Sequence, residues 1–197
     1  AATERMRIDS VGSVGIGNTP STWASSVYDA LQIGGGIGVG AIAGRRDGIN
    51  QVNFGLNWHY ASGATLSYVG SSFATNYAQE AGTHRWFHAS SGTAAAALTF
   101  TESMRIDASG RVGIGTDNPS ETLELTRLGK IGFGMNGDYG ARIGYFDDGG
   151  GVHGFHVDTK HSGTTVSESR FVVRADSGNV GIGINNPSAK LQVEGTF

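Results

Sequence analysis

One stretch is written three times along this 197-residue chain: MRIDSVGSVGIGNTPS from Met6, MRIDASGRVGIGTDNPS from Met104 and VVRADSGNVGIGINNPS from Val172. Each copy joins an extended apolar stretch, a turn, a Val-Gly-Ile-Gly strand and a second turn closed by Pro-Ser. A recurring supersecondary unit makes the chain a string of modules rather than one globule. DALQI (Asp29 to Ile33), ETLEL (Glu121 to Leu125) and AKLQV (Ala189 to Val193) follow the copies, so a short alternating strand belongs to the unit as well. Upstream, TERMRID (Thr3 to Asp9) returns as TESMRID (Thr101 to Asp107), and the chain is expected to be a fragment that starts at the tail end of a module.

The copies are unevenly spaced. Gly113 lies 98 residues after Gly15, and Gly181 lies 68 after Gly113. A solenoid of identical rungs keeps its period, so here a fixed connector separates bodies of different size. The expected division is 1–20 for the end of a preceding module and the first connector. A first β-rich body and the second connector take 21–119, and a smaller body, the third connector and the start of the next module take 120–197.

Period-2 alternation marks the strands. In Gln51 to Tyr60, Val52, Phe54, Leu56, Trp58 and Tyr60 fall on one face and Asn53, Gly55, Asn57 and His59 on the other. Further strands are expected at Ala64–Tyr68, Arg85–Ala89, Ala97–Thr101, Lys130–Met135, Ala141–Phe146, Val152–Val157 and Arg170–Arg174, separated by glycine-containing turns. Only Ser21 to Leu31 offers a short helical turn, so the fold class is all-β.

The chain holds 33 glycines but 3 prolines and no Gly-X-Y period, which excludes collagen. Glycine weakens a strand unless another backbone approaches it closely. Gly15, Gly113 and Gly181 are therefore expected to meet a neighbouring chain. Gly17, Gly115 and Gly183 with Pro20, Pro119 and Pro187 complete the structural connectors. Closed threefold association would give short glycine-rich strands the partners they lack alone.

Composition removes several classes of function. The net charge is −3 and the 14 basic residues are scattered, without the basic stripe that nucleic-acid binding needs. No apolar run approaches the roughly 18 residues of a membrane span, so no membrane insertion is expected. There is no cysteine, which excludes disulfides, thiolate metal sites and cysteine nucleophiles.

The connector resembles one found repeatedly in distal tail-fibre and tail-spike proteins of tailed bacteriophages. Those carry stretches of the form RID-x-x-G-x-VGIG-x-x-x-PS-x-x-L-x-V upstream of a C-terminal intramolecular chaperone. Arg105–Leu125 meets the pattern with LEL at the strand, and Arg174–Val193 meets it with Ala175 at the aspartate position. The first copy departs from it, with a Gly17-to-Pro20 turn one residue shorter and a displaced final strand. The resemblance implies an elongated, intertwined homotrimer of β-rich modules in a virion, made in the host cytoplasm and extracellular when it functions. It implies attachment to a bacterial surface receptor, glycan or protein. The family's chaperone is removed after assembly, and nothing in this segment resembles it.

The candidate chemistry is sparse. GGGIGVG (Gly34 to Gly40) and the VGIG copies lack the helix that must follow a dinucleotide loop, and no GKS or GKT is present, so no cofactor is expected. His84 and His88 can share a face with Trp86, while His153 and His156 point to opposite faces, and no metal is assigned. Glycan hydrolysis needs two spaced carboxylates. Asp138, Asp147, Asp148, Asp158 and Glu80 are available, yet adjacent aspartates beside glycines read as turn residues. A non-enzymatic role is expected, with a depolymerase or a purely structural shaft as alternatives. For receptor binding the candidates are Trp86, His84, His88, Tyr77, Tyr68, Asp147 and Asp148, with Ser71–Thr83 and Asp147–Gly151 as loop tips. Trp58 and Tyr60 are expected in the core.

Overall fold

The computed structural model describes residues 4–23, 27–35, 38–45, 47–61, 65–126, 129–133, 140–147, 153–160 and 169–195. Among them the chain is all-β. It divides into unit 1 (residues 1–124) and unit 2 (residues 125–197).

Unit 1 is built from β1 (Met6–Ile8), β2 (Val14–Ile16), β3 (Tyr28–Ile33), β4 (Gly40–Arg45), β5 (Gln51–Leu56), β6 (Trp58–Ala61), β7 (Thr65–Tyr68), β8 (Ala74–Glu80), β9 (Thr83–Ala89), β10 (Thr101–Ile106), β11 (Val112–Ile114) and β12 (Leu123–Leu125). Ten of these form one sheet in the order β1-β2-β3-β4-β5-β8-β9-β10-β11-β12, and β6-β7 is a separate ribbon. Unit 2 is a six-stranded sheet of β13 (Lys130–Phe133), β14 (Gly140–Asp147), β15 (His153–Lys160), β16 (Ser169–Arg174), β17 (Val180–Ile182) and β18 (Leu191–Val193), in chain order.

Each connector is a hairpin followed by a crossover. In the first, β1 pairs antiparallel with β2, and β3 returns parallel to β2 with Gly15 between Arg7 and Gln32. In the third, β16 pairs with β17, and β18 runs parallel to β17 with Gly181 beside Gln192. In the second, the Val112 amide donates to the Thr122 carbonyl as the Val180 amide does to Lys190. The glycine is needed because the crossover loop folds back over it. A Cβ on Gly15 would stand 2.5 Å from the Asn18 carbonyl oxygen, and one on Gly113 would stand 2.5 Å from that of Thr116. On Gly181 a Cβ would collide with the Ile184 carbonyl. The close approach expected from a neighbouring chain is thus made by the chain's own loop. Gly17, Gly115 and Gly183 turn the strand into that loop at φ values of 76°, 70° and 74°, a region that favours glycine.

A polar side chain then ties the loop down. The Ser120 amide donates to Glu124 Oε2 at 2.7 Å, the Ser188 amide to Gln192 Oε1 at 2.8 Å and the Ser21 amide to Gln32 Oε1 at 2.5 Å. The serine of each Pro-Ser is therefore held by a polar residue of the strand that follows, the one after its leucine in LQI, LEL and LQV.

The hairpin turns differ between copies. Asp9 accepts the amides of Val11 and Ser13, and Asp107 those of Ser109 and Arg111. Ala175 cannot do this. The third turn closes instead from the Arg174 amide to the Asn179 carbonyl, one residue wider, and Phe171 rather than Val172 pairs with Ile182.

The long strand expected over Gln51–Tyr60 breaks at Asn57, which has φ 62°. Its side chain holds the corner, donating to the carbonyls of Gly70 and Phe73 and accepting the Gly70 amide. The break sends β6 over the sheet, so the Trp58 indole lies on Gly55 of the preceding strand. Trp23, Trp58 and Tyr68 pack there on Ala30, Ala41, Ala43, Ala74 and Ala89. The alanines leave room for the aromatic layer, whose Trp23 and Trp58 rings meet edge-on at 5.4 Å. Two other expectations change. Ser21–Leu31 yields strand from Tyr28, and Ala97 makes only an isolated bridge to Ser67.

Candidate functional site

Strand alternation gives each sheet two unlike faces. In unit 1 the aromatic layer covers one face. The other, the open face, carries the row Met6, Ile16, Ile33, Gly40, Leu56 and Thr75 by register. A second row runs Ile8, Val14, Leu31, Ile42, Phe54, Tyr77 and Trp86. Met6 (57 % exposed), Ile8, Ile16, Ile33, Ile42, Phe54, Leu56, Ile114 and Leu123 are all exposed. Around Gly40 the face dips into a hollow of about 400 Å³ lined by Leu31, Ile33, Ile42, Phe54 and Leu56.

Unit 2 repeats the plan. Ile131, Phe133, Phe155, Ile182, Leu191 and Val193 are exposed, and register places them on one face with Ile143, Tyr145, Val157, Phe171 and Val173. The opposite face holds Gly144, His156, Val172 and Gly181 in a row, with Arg142 beside Asp158. His156 Nε2 is 3.4 Å from Asp158 Oδ2, and Arg142 Nη2 donates to the same oxygen at 3.0 Å. Burial pushes the His156 pKa down; Asp158 opposes this, while Lys130 and Arg142 add to it.

The candidate residues named from sequence separate on this frame. Tyr77, His84, Trp86 and His88 come together on the open face. Tyr77 stacks on His84 at 6.1 Å and lies tilted against Trp86 at 5.1 Å, and its hydroxyl meets His84 Nδ1 at 2.5 Å. His88 Nδ1 meets Ser103 Oγ at 2.7 Å. Tyr68 does not join them. It is core, 6 % exposed, with its hydroxyl donating to the Ser90 carbonyl at 2.6 Å. Asp147 ends β14 opposite His153, and Asp148 lies outside the described residues, as do Asp138 and 149–151. The supposed tip Ser71–Thr83 is mostly β8, an interior strand between β5 and β9.

The acids on the covered side are held by guanidinium groups. Arg85 donates to Glu80 and to Glu102, each at 2.8 Å, and Arg105 grips Glu102 with two bonds. Burial raises the Glu102 pKa, but the bonds from Arg105 and Arg85 outweigh it and hold the carboxyl below its ordinary 4.5. Asp158 is 4 % exposed and faces Arg142 and Lys130. The ion pairs of Glu102 thus favour its charged form, the opposite of the protonated acid that glycoside cleavage uses.

Sequence reasoning passed over β4 and β8, the Asn57 corner and the Gln32, Glu124 and Gln192 ties. The recurrence of LQI, LEL and LQV after Pro-Ser is a signal that identifies the ties. Comparison with protein-family models and with curated proteins returns no match for the chain. Among the described residues, no helix is long and apolar enough to cross a membrane.

Proposed function

We propose that the chain is a segment of a homotrimeric tail fibre of a tailed bacteriophage, in which three copies pack through the open faces of their sheets. The fibre extends from the virion and attaches it to a bacterial surface receptor. The observation that carries this reading is the exposed apolar face that recurs at all three connectors. A soluble monomer rarely exposes so large a contiguous apolar patch. Unit 1 alone exposes nine large apolar side chains on this face. Half-buried already, each contributes on the order of 1 kcal/mol when covered, so about 9 kcal/mol per chain. That is the size needed to offset the cost of association, about 4–15 kcal/mol. A closed threefold arrangement supports the reading further, because it covers three copies of one face without leaving an open end.

In this arrangement Tyr77 and Trp86 belong to the assembly face, and receptor contact moves to the opposite side of the sheet. Light scattering on the purified chain tests the proposal, with an expected mass three times 20.4 kDa. Ile42→Lys combined with Phe54→Lys should yield a folded monomer, because both side chains stand outside the aromatic core. A monomeric parent chain would sink the trimer, as would a double variant that still trimerises.

A further inference from the structure

On the covered side of unit 1, the edge of the aromatic layer leaves a cleft of about 240 Å³. Its walls are the rings of Tyr28, Trp58, Tyr60, Phe87 and Phe100. Two amides lie between them. Asn53 is 2 % exposed and Asn76 is 9 % exposed, and Asn76 Nδ2 donates to Asn53 Oδ1 at 2.8 Å. Asn53 Nδ2 and Asn76 Oδ1 have no partner. Buried amides normally satisfy both their ends, so an unspent donor beside an unspent acceptor calls for an explanation. The cleft is about eight times the volume of one water molecule, far more than a single bridging water fills.

Of the other polar groups at the cleft, the Trp58 indole Nε1 is a further buried donor without a partner, while Arg45 and Gln51 are engaged. Arg45 is paired with Asp47, with its Nε donating at 2.9 Å, and lies 5.4 Å over the Tyr28 ring. Gln51 accepts from the Tyr28 hydroxyl at 3.2 Å and donates to Glu80 at 3.3 Å. With its cation neutralised, the cleft has no charge to offer an anion. It offers flat aromatic faces and one adjacent donor and acceptor. A pyranose ring presents the complement: C–H faces for the rings, and hydroxyls that accept from one group and donate to the other. A peptide amide side chain matches the polar pair but lacks the flat face.

We propose that this cleft binds a neutral sugar ring, with Asn53 and Asn76 bonding its hydroxyls between Tyr60, Trp58 and Phe87. It is a site distinct from the Tyr77–Trp86 pair, which lies on the other face of the sheet. The inference gives a ligand class to the attachment half of the reading above and does not depend on the trimeric half.

The test is saturation-transfer NMR of the full chain with methyl glycosides of glucose, galactose, mannose, N-acetylglucosamine and N-acetylgalactosamine, and with glucuronate as the anionic control. At least one neutral glycoside should bind with a dissociation constant of about 1–10 mM, as expected for so small a ligand, and glucuronate should bind more weakly. Asn53→Leu with Asn76→Leu removes both unspent amide groups together with the bond between them. It should abolish binding and leave the melting temperature unchanged or raised, because paired replacement by apolar groups of similar shape is close to neutral. Tyr60→Leu, on a half-buried wall, should weaken binding about tenfold by losing one stacking face, while Tyr77→Phe on the opposite face should not change it. The site is refuted if no neutral glycoside shows transfer, if transfer survives both the double leucine variant and Tyr60→Leu, or if only an asparagine-containing peptide binds. Masses measured on the same samples separate the two claims. A trimer without sugar binding removes the cleft, and a sugar-binding monomer removes the trimer.

Discussion

Gly113→Ala isolates the contact on which the connector is built. Its Cβ would stand 2.5 Å from the Thr116 carbonyl oxygen, 3.2 Å from Thr116 Cγ2 and 3.4 Å from Pro119 Cδ. The first distance is about 1 Å short of an ordinary contact, and the obstacle is backbone, which cannot swing aside. The loop is also held at both ends, by the Gly115 amide on the Ser103 carbonyl at 3.0 Å and by the Ser120 amide on Glu124. Relieving the clash means strain of about 1–3 kcal/mol and the weakening of one of those bonds, about 0.5–1.5 kcal/mol. The sum is about 2–4 kcal/mol, or a fall of about 6–15 °C in Tm for a unit of this size. Tryptophan emission reads it cleanly, because all 3 tryptophans of the chain lie in unit 1. Gly110→Ala is the comparison within the same hairpin. With φ 81° and nothing within 4 Å, it carries backbone strain alone, about 1–2 kcal/mol. Because the Gly113 clash lies within one chain, its Tm deficit should persist unchanged on tenfold dilution. A Gly113→Ala variant that melts with the parent would refute the argument. A deficit that changes with protein concentration would return the glycine to an interface between chains.

Four further outcomes follow from the same geometry. Asp107→Ala should release the Ser109 and Arg111 amides to about fivefold faster hydrogen exchange and let the hairpin adopt the wider turn of the third copy; unchanged protection would deny the aspartate its role. Glu124→Gln should leave Ser120 amide exchange as it is, since Gln192 makes the same bond to Ser188, whereas Glu124→Ala should accelerate it. Glu102→Gln should lower unit 1 stability by about 1–2 kcal/mol in urea, a buried-pair loss discounted for partial exposure. The Glu102 pKa is lowered on folding, so its contribution is present above 4.5 and fades as pH falls through the folded value; the variant should flatten that acid limb, and an unchanged limb would exclude the ion pairs as its source. The His156 pKa is lowered too, so the folded state prefers the neutral ring, and unit 2 keeps this contribution above pH 6.5 and loses it as pH falls below. An NMR titration of the ring should give a midpoint below 6.5, and a midpoint at or above it would contradict the burial.

The all-β class and the connector were legible in the sequence because both rest on local rules. Period-2 alternation reports a strand that shows its two faces to different surroundings, and a motif repeated three times reports one local geometry. Each structural exception has a residue behind it. Asn57 adopts φ 62° and anchors a corner with its amide, so Trp58 leaves the alternation that Phe54 and Leu56 continue. Ala175 replaces the turn aspartate, and the third hairpin widens by one residue, which exchanges the faces of Phe171 and Val172. β4 and β8 escaped notice for a related reason. Most of their covered positions are alanines, Ala41, Ala43, Ala74 and Ala78, small residues that fit an aromatic layer brought from β6 and from Trp23, and alanine carries little strand signal by itself.

Under the proposed assembly the candidate site changes place, because aromatic content does not say which face an aromatic residue occupies. Tyr77 and Trp86 looked like surface anchors, but register puts them in the row of Ile42 and Phe54, where any partner that covers one covers all. Asn53 and Gly55 looked like the outward, polar side of their strand, yet that is the side on which Trp58 folds back. One event, the reversal at Asn57, therefore both closes the core and opens the cleft. It brings Trp58 and Tyr60 opposite Asn53 and Asn76, and it leaves the far face of the same strands apolar and uncovered. Since the two faces of one sheet point in opposite directions, a contact that buries Ile42 and Phe54 at an assembly axis turns the Asn53–Asn76 cleft outward. Assembly and attachment then compete for no residue, which is the arrangement a fibre needs if three copies are to bind a surface at once.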